Sequence, residues 1–335
     1  MSASAFIERL REHAASLRAP NASARSTTPA GPAAPANPAA PANPAAPANS
    51  PAPAAPAQNP QLSFWESPVA RAAINRRITG DPELGPETYL ARRHGPSIAA
   101  PHVVSLRASD SKLEIALVEA GSCESVTGLD DDERRLRVAR GRVPEPLRDR
   151  ISFELGTFDR WEPPEPLGAA VCRLYLHRRE DLEAVLDRLA AMLVPGGLLF
   201  VEDFVGPARF QWTDAQLEVI NRLLACLPPE LLTDLSSTDG RQKRRVERPS
   251  LARLVAANST EALRSDAVVP ALDARFERVE VSLYGGAVFH QLFNRIMGNF
   301  ADRPDLVGVL MELDALLTDT GVLASDYLWG VWRRA

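Results

Sequence analysis

Between residues 103 and 201, short apolar runs alternate with stretches of helical spacing, and this alternation sets the expected fold. Val103, Val104 and Leu106 make the first run, Leu113 to Val118 has the spacing of a helix face, and Val126 to Leu129 is apolar again, closing on Asp130. Two parallel strands joined by a helix is the economical reading. Glu133 to Arg140 then reads as a helix with Leu136 and Ala139 inward, Ile151 to Leu155 alternates as a strand, and Trp161 to Pro166 is a proline-rich loop. Ala169 to Leu174 is the next strand. From about Arg179 to Leu193, the residues Leu182, Val185, Leu186, Leu189 and Leu193 share one helix face. Pro195-Gly196-Gly197 should end that helix, and Leu198 to Val201 is apolar throughout, as a strand covered on both faces requires. The pattern predicts an α/β fold with a Rossmann-like, doubly wound sheet.

The flanks add helices more than strands. Phe64, Trp65, Val69, Ala73 and Ile74 mark a helix expected to lie across the domain entrance, followed by a turn at Gly80-Asp81-Pro82 and a helix from about Pro86 to His94. Beyond the core, Thr213-Asp214 begins a helix with Leu217, Ile220, Leu223 and Leu224 inward, ending near Pro228-Pro229. Helix signals recur from Ser250 and from Ser265, Phe276 to Leu283 alternates like a strand, Phe289 to Gly298 and Leu306 to Leu317 are helical, and Leu328 to Trp332 is a last short strand. The sum is a sheet of about seven strands with a helical lid.

The first 60 residues read differently. Ser2 to Arg18 places Phe6, Ile7, Leu10, Ala14 and Leu17 on one face of a short amphipathic helix that would be marginal alone. It is either a docking helix for a protein partner or a start that packs on its own domain. Residues 19–60 collapse into alanine, proline and asparagine, with Pro-Ala-Ala-Pro-Ala-Asn three times over from Pro32 to Asn49. Such a segment predicts a disordered, extended linker. The expected division is therefore a helix at 1–18, a linker at 19–60 and one domain at 61–335.

Composition narrows the functional classes. No run approaches the roughly 18 apolar residues of a membrane helix, and Met1 to Arg18 lacks the apolar core of a secretory signal. A net charge of −5 argues against nucleic-acid binding as the main business. Cys123, Cys172 and Cys226 are odd in number and show no C-x-x-C pairing, so buried free thiols in a reducing cytoplasm are expected. No metal-ligand cluster, phosphate-loop motif or catalytic-triad spacing appears. Arg241, Lys243, Arg244, Arg245 and Arg248 crowd one loop, which is either an anion site or a solvated loop.

The turn after the first strand carries the chemistry. A nucleotide-binding unit of this type takes glycines there, so that backbone N–H groups approach the ligand, and an acid about 20 residues on for the ribose hydroxyls. Asp130 supplies the acid. The turn itself runs Arg107-Ala108-Ser109-Asp110-Ser111 and contains no glycine.

With Pro195-Gly196-Gly197 after an amphipathic helix and Asp130 closing the second strand, the chain resembles class I S-adenosylmethionine-dependent methyltransferases. Phe64-Trp65-Glu66-Ser67-Pro68, Gly80-Asp81-Pro82, Gly206-Pro207, Arg248-Pro249-Ser250 and Tyr284-Gly285-Gly286 extend the resemblance to a bacterial subgroup, over about Leu62 to Ala335. The resemblance implies S-adenosylmethionine as cofactor, a small-molecule or glycan-type acceptor, and cofactor contacts at Ser105, Arg107, Ser109, Asp130, Thr157 and Arg173. The sequence departs from it at Arg107, Ser109 and Ser111, which stand where three glycines are expected, at Thr157 and Gly168, which stand where acids are common, and nowhere more than in the charge of Arg107, which opposes a sulfonium. Methyl transfer needs positioning foremost and a base only when the acceptor must lose a proton. Catalytic candidates are His177, Asp203 and His290, with Glu202 and Tyr284 beside them; each also has a structural reading as a helix cap, a partner for nearby donors, a packing group or a surface residue. Two functions follow: a methyltransferase, or a non-catalytic relative that uses the same scaffold for binding.

Overall fold

A computed structural model describes residues 63–107 and 110–335; the expected amphipathic helix, the linker and Ser109 lie outside the described residues. One seven-stranded sheet organises the rest, in the order β3-β2-β1-β4-β5-β7-β6. Its strands are β1 (His102–Leu106), β2 (Ser125–Asp130), β3 (Ile151–Leu155), β4 (Leu167–Arg173), β5 (Leu193–Phe204), β6 (Glu277–Gly285) and β7 (Tyr327–Arg333). β1 to β5 pair in parallel, whereas β7 runs antiparallel between β5 and β6.

Period-two alternation builds both faces at once. Val103, Val126, Ile151, Val171 and Phe200 point into one apolar cluster, and Val104, Leu129, Ala170, Cys172 and Val201 into the other. The first cluster is covered by α1 (Pro68–Thr79), α2 (Pro86–His94), α3 (Lys112–Glu119) and the lid helices α6 (Asp214–Cys226) and α10 (Pro304–Asp319). On the second pack α5 (Leu182–Met192) and α8 (Val268–Asp273). The remaining helices are α4 (Glu133–Arg142), α7 (Leu251–Ala257) and α9 (Phe289–Phe293). Thr213 starts α6 with a capping box: its hydroxyl accepts from the Gln216 N–H at 3.2 Å, and its own N–H donates to the Gln216 side chain at 3.0 Å.

Two expectations need correction. Pro195-Gly196-Gly197 lies within β5 rather than in a turn before it, because the Gly196 N–H donates to Arg334 at 3.0 Å and Arg334 returns a bond to Gly197 at 2.8 Å, which carries the ladder to β7 past the proline. The helix expected over Phe289 to Gly298 stops at Phe293. Arg295 is left-handed at φ 67°, and the Lys243 ammonium takes the carbonyls of Gln291, Leu292 and Asn294 that another helical turn would have bonded. No helix among the described residues is long and apolar enough to cross a membrane.

The strand order fixes where a ligand can sit. The chain steps outward from β1 to β2 and β3, then returns to place β4 on the other side of β1. The crevice outside the carboxyl ends of β1 and β4 is the switch point where doubly wound sheets bind ligands.

Candidate functional site

Two cavities open at that crevice. The first, about 590 Å³, lies over the ends of β1, β2 and β3; the second, about 580 Å³, lies between the ends of β4 and β5 and the entrance helices α1 and α2. Both volumes suit a small ligand. Arg107 lines both and forms the wall between them.

At the two described ends of the turn after β1 the backbone is left-handed without a glycine. Arg107 has φ 61° and Ser111 φ 57°, left-handed values that cost a side-chain-bearing residue roughly 1–2 kcal/mol each. Ser111 is fully buried, with its hydroxyl donating to the Ala139 carbonyl at 3.1 Å, so it braces α4. The Arg107 N–H donates to Leu129 at 2.8 Å and is taken up by the sheet. Across the crevice, Arg107 Nη1 donates to the Leu174 carbonyl at 3.2 Å, and Leu174 is itself left-handed at φ 49°. A side chain therefore clasps the end of β1 to the end of β4 over the switch point.

Asp130 sits where a ribose would be held, but its carboxylate is already engaged. Arg135, on the first turn of α4, donates from Nε to Oδ1 at 3.0 Å and Oδ2 at 2.9 Å and from Nη2 to Oδ1 at 2.6 Å, while the Asp132 N–H adds a bond at 2.9 Å. The side chain has no exposed surface. Arg135 also reaches Asp131 at 2.7 Å and Asp132 at 3.3 Å, and the Asp130 hydrogen bond leads the effects that raise its guanidinium above the usual range. Thr157 lines the first cavity, at the entrance of a short 3-10 turn over Phe158–Arg160.

Ser105 and Arg173 belong elsewhere. Ser105 is buried beneath the crevice and donates to Glu114 Oε1 at 2.5 Å; the other Glu114 oxygen has no partner among the described residues, and burial pushes this carboxyl up. Arg173 lines the second cavity, not the first, and gathers three carboxylates: Asp110 at 2.7 Å, Glu202 at 2.8 Å and Glu87 at 3.5 Å. Burial opposes its charge, and Glu202, Asp110 and Glu87 outweigh burial, holding the guanidinium above its usual range.

The three catalytic candidates are separated. His177 and Asp203 form a buried pair through Nδ1, and the other imidazole nitrogen lies 3.4 Å from Glu261 on the lid. Burial disfavours the imidazolium, but Asp203 and then Glu261 outweigh it and raise His177 to about 9. Asp203 also accepts from the Leu176 N–H at 2.8 Å and the Phe204 N–H at 2.8 Å. Neither residue lines either cavity, so the pair ties β4 to β5 and the lid and holds no free base. His290 stands apart in an aromatic nest with Phe204 and Tyr327, where burial and then Lys243 lower it to about 4. Tyr284 stacks on Tyr327 with its hydroxyl 3.4 Å from Glu202.

The basic loop resolves into local partners. Lys243 caps α9, Arg248 bonds Trp212 and Asp214, and Arg241 and Arg245 face Asp234 and Glu247. The groups that sequence reasoning missed are Arg135, Arg178, Glu114 and Glu261. Arg135 alone had a visible signal, as the second of two arginines directly behind the acidic run Asp130-Asp131-Asp132-Glu133. Among the described residues no cluster of three metal-type ligands occurs.

No protein-family model matches the chain, and no curated protein matches it. Among solved structures, the chain is similar to an S-adenosylmethionine dependent methyltransferase from Mesorhizobium loti, at 16% identity over 73% of this chain and 95% of that one, with a TM-score of 0.40. It is also similar to the N-methyltransferase NodS from Bradyrhizobium japonicum WM9, at 14% identity over 74% and 93% with a TM-score of 0.37, and to the glycopeptide N-methyltransferase MtfA complexed with S-adenosylmethionine, at 20% identity over 39% and 55% with a TM-score of 0.31. Likeness of this size bears on neither substrate nor activity.

Proposed function

We propose that this protein uses a methyltransferase-type scaffold as a non-catalytic binding module, with its ligand in the crevice at the switch point. One observation carries the reading: Arg107 clasps Leu174 across the crevice while Arg135 holds Asp130. The residues present do not fit S-adenosylmethionine. Its sulfonium is cationic, and two like charges about 4 Å apart repel by roughly 1 kcal/mol in water and about 4 kcal/mol at an effective dielectric near 20. A ribose would compete with a bidentate guanidinium for Asp130, and a neutral hydroxyl is the weaker donor. The Arg107 amide is spent on Leu129. Isothermal titration of the full chain with S-adenosylmethionine at millimolar concentration is expected to give no binding heat, and methylation of any acceptor would end this reading.

A second reading, S-adenosylmethionine-dependent methyl transfer to a small-molecule or glycan-type acceptor, is favoured by the second cavity. That space adjoins the first through Arg107 alone and offers Trp65 with the Glu202 carboxylate at its floor. If it holds, swinging Arg107 off Leu174 joins donor and acceptor spaces, and Arg107→Gly raises turnover; unchanged turnover in that variant would remove it. Residues 2–18 are the proposed contact for a protein partner, tested by pull-down with and without residues 1–60, where equal recovery would discard the idea. A cytoplasmic setting belongs to the same proposal and draws on Cys123, Cys172 and Cys226, all buried free thiols.

A further inference from the structure

The charges around the first cavity are almost all matched in pairs. Five arginines and four acids line it. Asp130, Asp131 and Asp132 all face Arg135, and Asp132 also lies 3.5 Å from Arg134. Glu133 is held by Arg140 at 2.7 Å, Arg178 pairs with Glu261, and Arg179 sits between Asp159 at 2.7 Å and Asp181 at 2.8 Å. Arg107 is the exception: among the described residues it has no carboxylate at ion-pair distance, only the Leu174 carbonyl. A guanidinium offers five N–H donors, so most of its capacity is unused. Burial lowers its hold on the proton, Arg178 and then Arg135 add repulsion, and Glu261 and Asp130 offset part of it.

A half-buried cation crowded by two others is stabilised by an anion with several acceptor oxygens, and a guanidinium fork matches phosphate in geometry as well as charge. Leu106, Leu129 and Phe158 give the same cavity an apolar wall. We propose that the first cavity binds a phosphate monoester, with the phosphate on Arg107 next to Arg178 and the organic group against Leu129 and Phe158. The inference rests on the non-catalytic reading and names its ligand class. Binding replaces the Leu174 carbonyl by phosphate oxygens and so opens the clasp. Asp130, Asp131 and Asp132 keep Arg135 and Glu133 keeps Arg140, so the rim acids need not move.

The test is isothermal titration of the full chain with adenosine monophosphate, glucose 6-phosphate, inorganic phosphate, adenosine and S-adenosylmethionine, repeated on Arg107→Gly and Arg107→Lys. Glycine suits φ 61°, so the first variant keeps the turn, and lysine keeps the charge while losing the fork. At least one of the two monoesters is expected to bind, weakening tenfold or more in Arg107→Gly and less in Arg107→Lys, and weakening with added salt in the parent. Adenosine monophosphate alone would identify a nucleoside phosphate, and glucose 6-phosphate alone a sugar phosphate. Adenosine binding as tightly as its monophosphate, or no monoester binding at millimolar concentration, would overturn the inference and leave the non-catalytic reading standing. S-adenosylmethionine binding with methyl transfer would overturn the reading itself.

Discussion

Two sets of left-handed positions beside the sheet differ in residue type. Around β5, β6 and β7, Gly285 and Gly286 take φ 98° and 95°, and a Cβ there would run into the Asp314 carboxylate and the Tyr327 ring. Asp314 in turn accepts from the Gly286, Val288 and Phe289 N–H groups at 3.0, 2.6 and 3.3 Å, which sets the entry to α9. Around β1 and β4 the backbone also turns left-handed, at Arg107, Ser111 and Leu174, but side chains stand there and one of them spans the crevice. Glycine is thus present where packing requires bare backbone and absent where a methyl donor would. At Gly285 and Gly286 the packing leaves no room for a Cβ, whereas Arg107, Ser111 and Leu174 carry side chains at left-handed positions.

The sharpest way to break this comparison is Gly285→Ala. Left-handed strain and the displaced Asp314 carboxylate together should cost about 3–5 kcal/mol, read as a lower urea midpoint. A loss under about 1 kcal/mol would mean that Gly285 tolerates a side chain as readily as the crevice positions do. Next comes the joint between sheet and lid, His177, held by Asp203 on β5 and Glu261 on the lid. Its folded value of about 9 lies above an unfolded value near 6.5, so its contribution is complete below about pH 6.5 and is lost as pH rises through 9. The shift corresponds to about 3 kcal/mol. Urea midpoints of the parent should fall between pH 6 and 10 by more than those of His177→Gln; parallel profiles would show that the imidazole is not charged in the folded state.

Asp130→Ala is expected to have a smaller effect. Asp130 is buried but Arg135 is one-third exposed and keeps Asp131 and Asp132, so the loss should be about 2 kcal/mol rather than the 3–5 typical of breaking a fully buried pair. A double-mutant cycle with Arg135→Met isolates the coupling, and a coupling near zero would leave Asp130 free for a ligand hydroxyl.

What could be read in the sequence follows from the same distinction. Apolar spacing reports burial, and burial decides strands and helices: Ile151–Leu155 and Pro86–His94 have the bounds their patterns predict. Partner choice leaves no periodic trace. Arg107 meets a carbonyl 67 residues away, and His177 meets Glu261 at a separation of 84. Residue type at a motif position made Asp130 look like a free acceptor, because a motif counts carboxylates and not the guanidinium five residues on that occupies one. Ser105 shows a related limit: β1 turns its side chain to the face covered by α3, where it meets Glu114, and only the pleat decides which side of the strand a residue serves.

The smallest stability effect is expected for Arg107→Gly, and it is the one that joins folding to binding. Replacing Arg107 releases left-handed strain of roughly 1–2 kcal/mol and removes a cation set near Arg178 and Arg135, but it also frees the unfolded chain and drops the bond to Leu174. These contributions oppose one another, so the net change should stay within about 1 kcal/mol of zero. Gly285→Ala adds a side chain to a left-handed position and Arg107→Gly removes one, which makes the two variants opposite tests of the same backbone requirement. A loss above about 2 kcal/mol in Arg107→Gly would make the clasp a structural tie between β1 and β4. A near-neutral result would mean that the arginine stands in the crevice without holding the fold together, as a group kept for what it binds should.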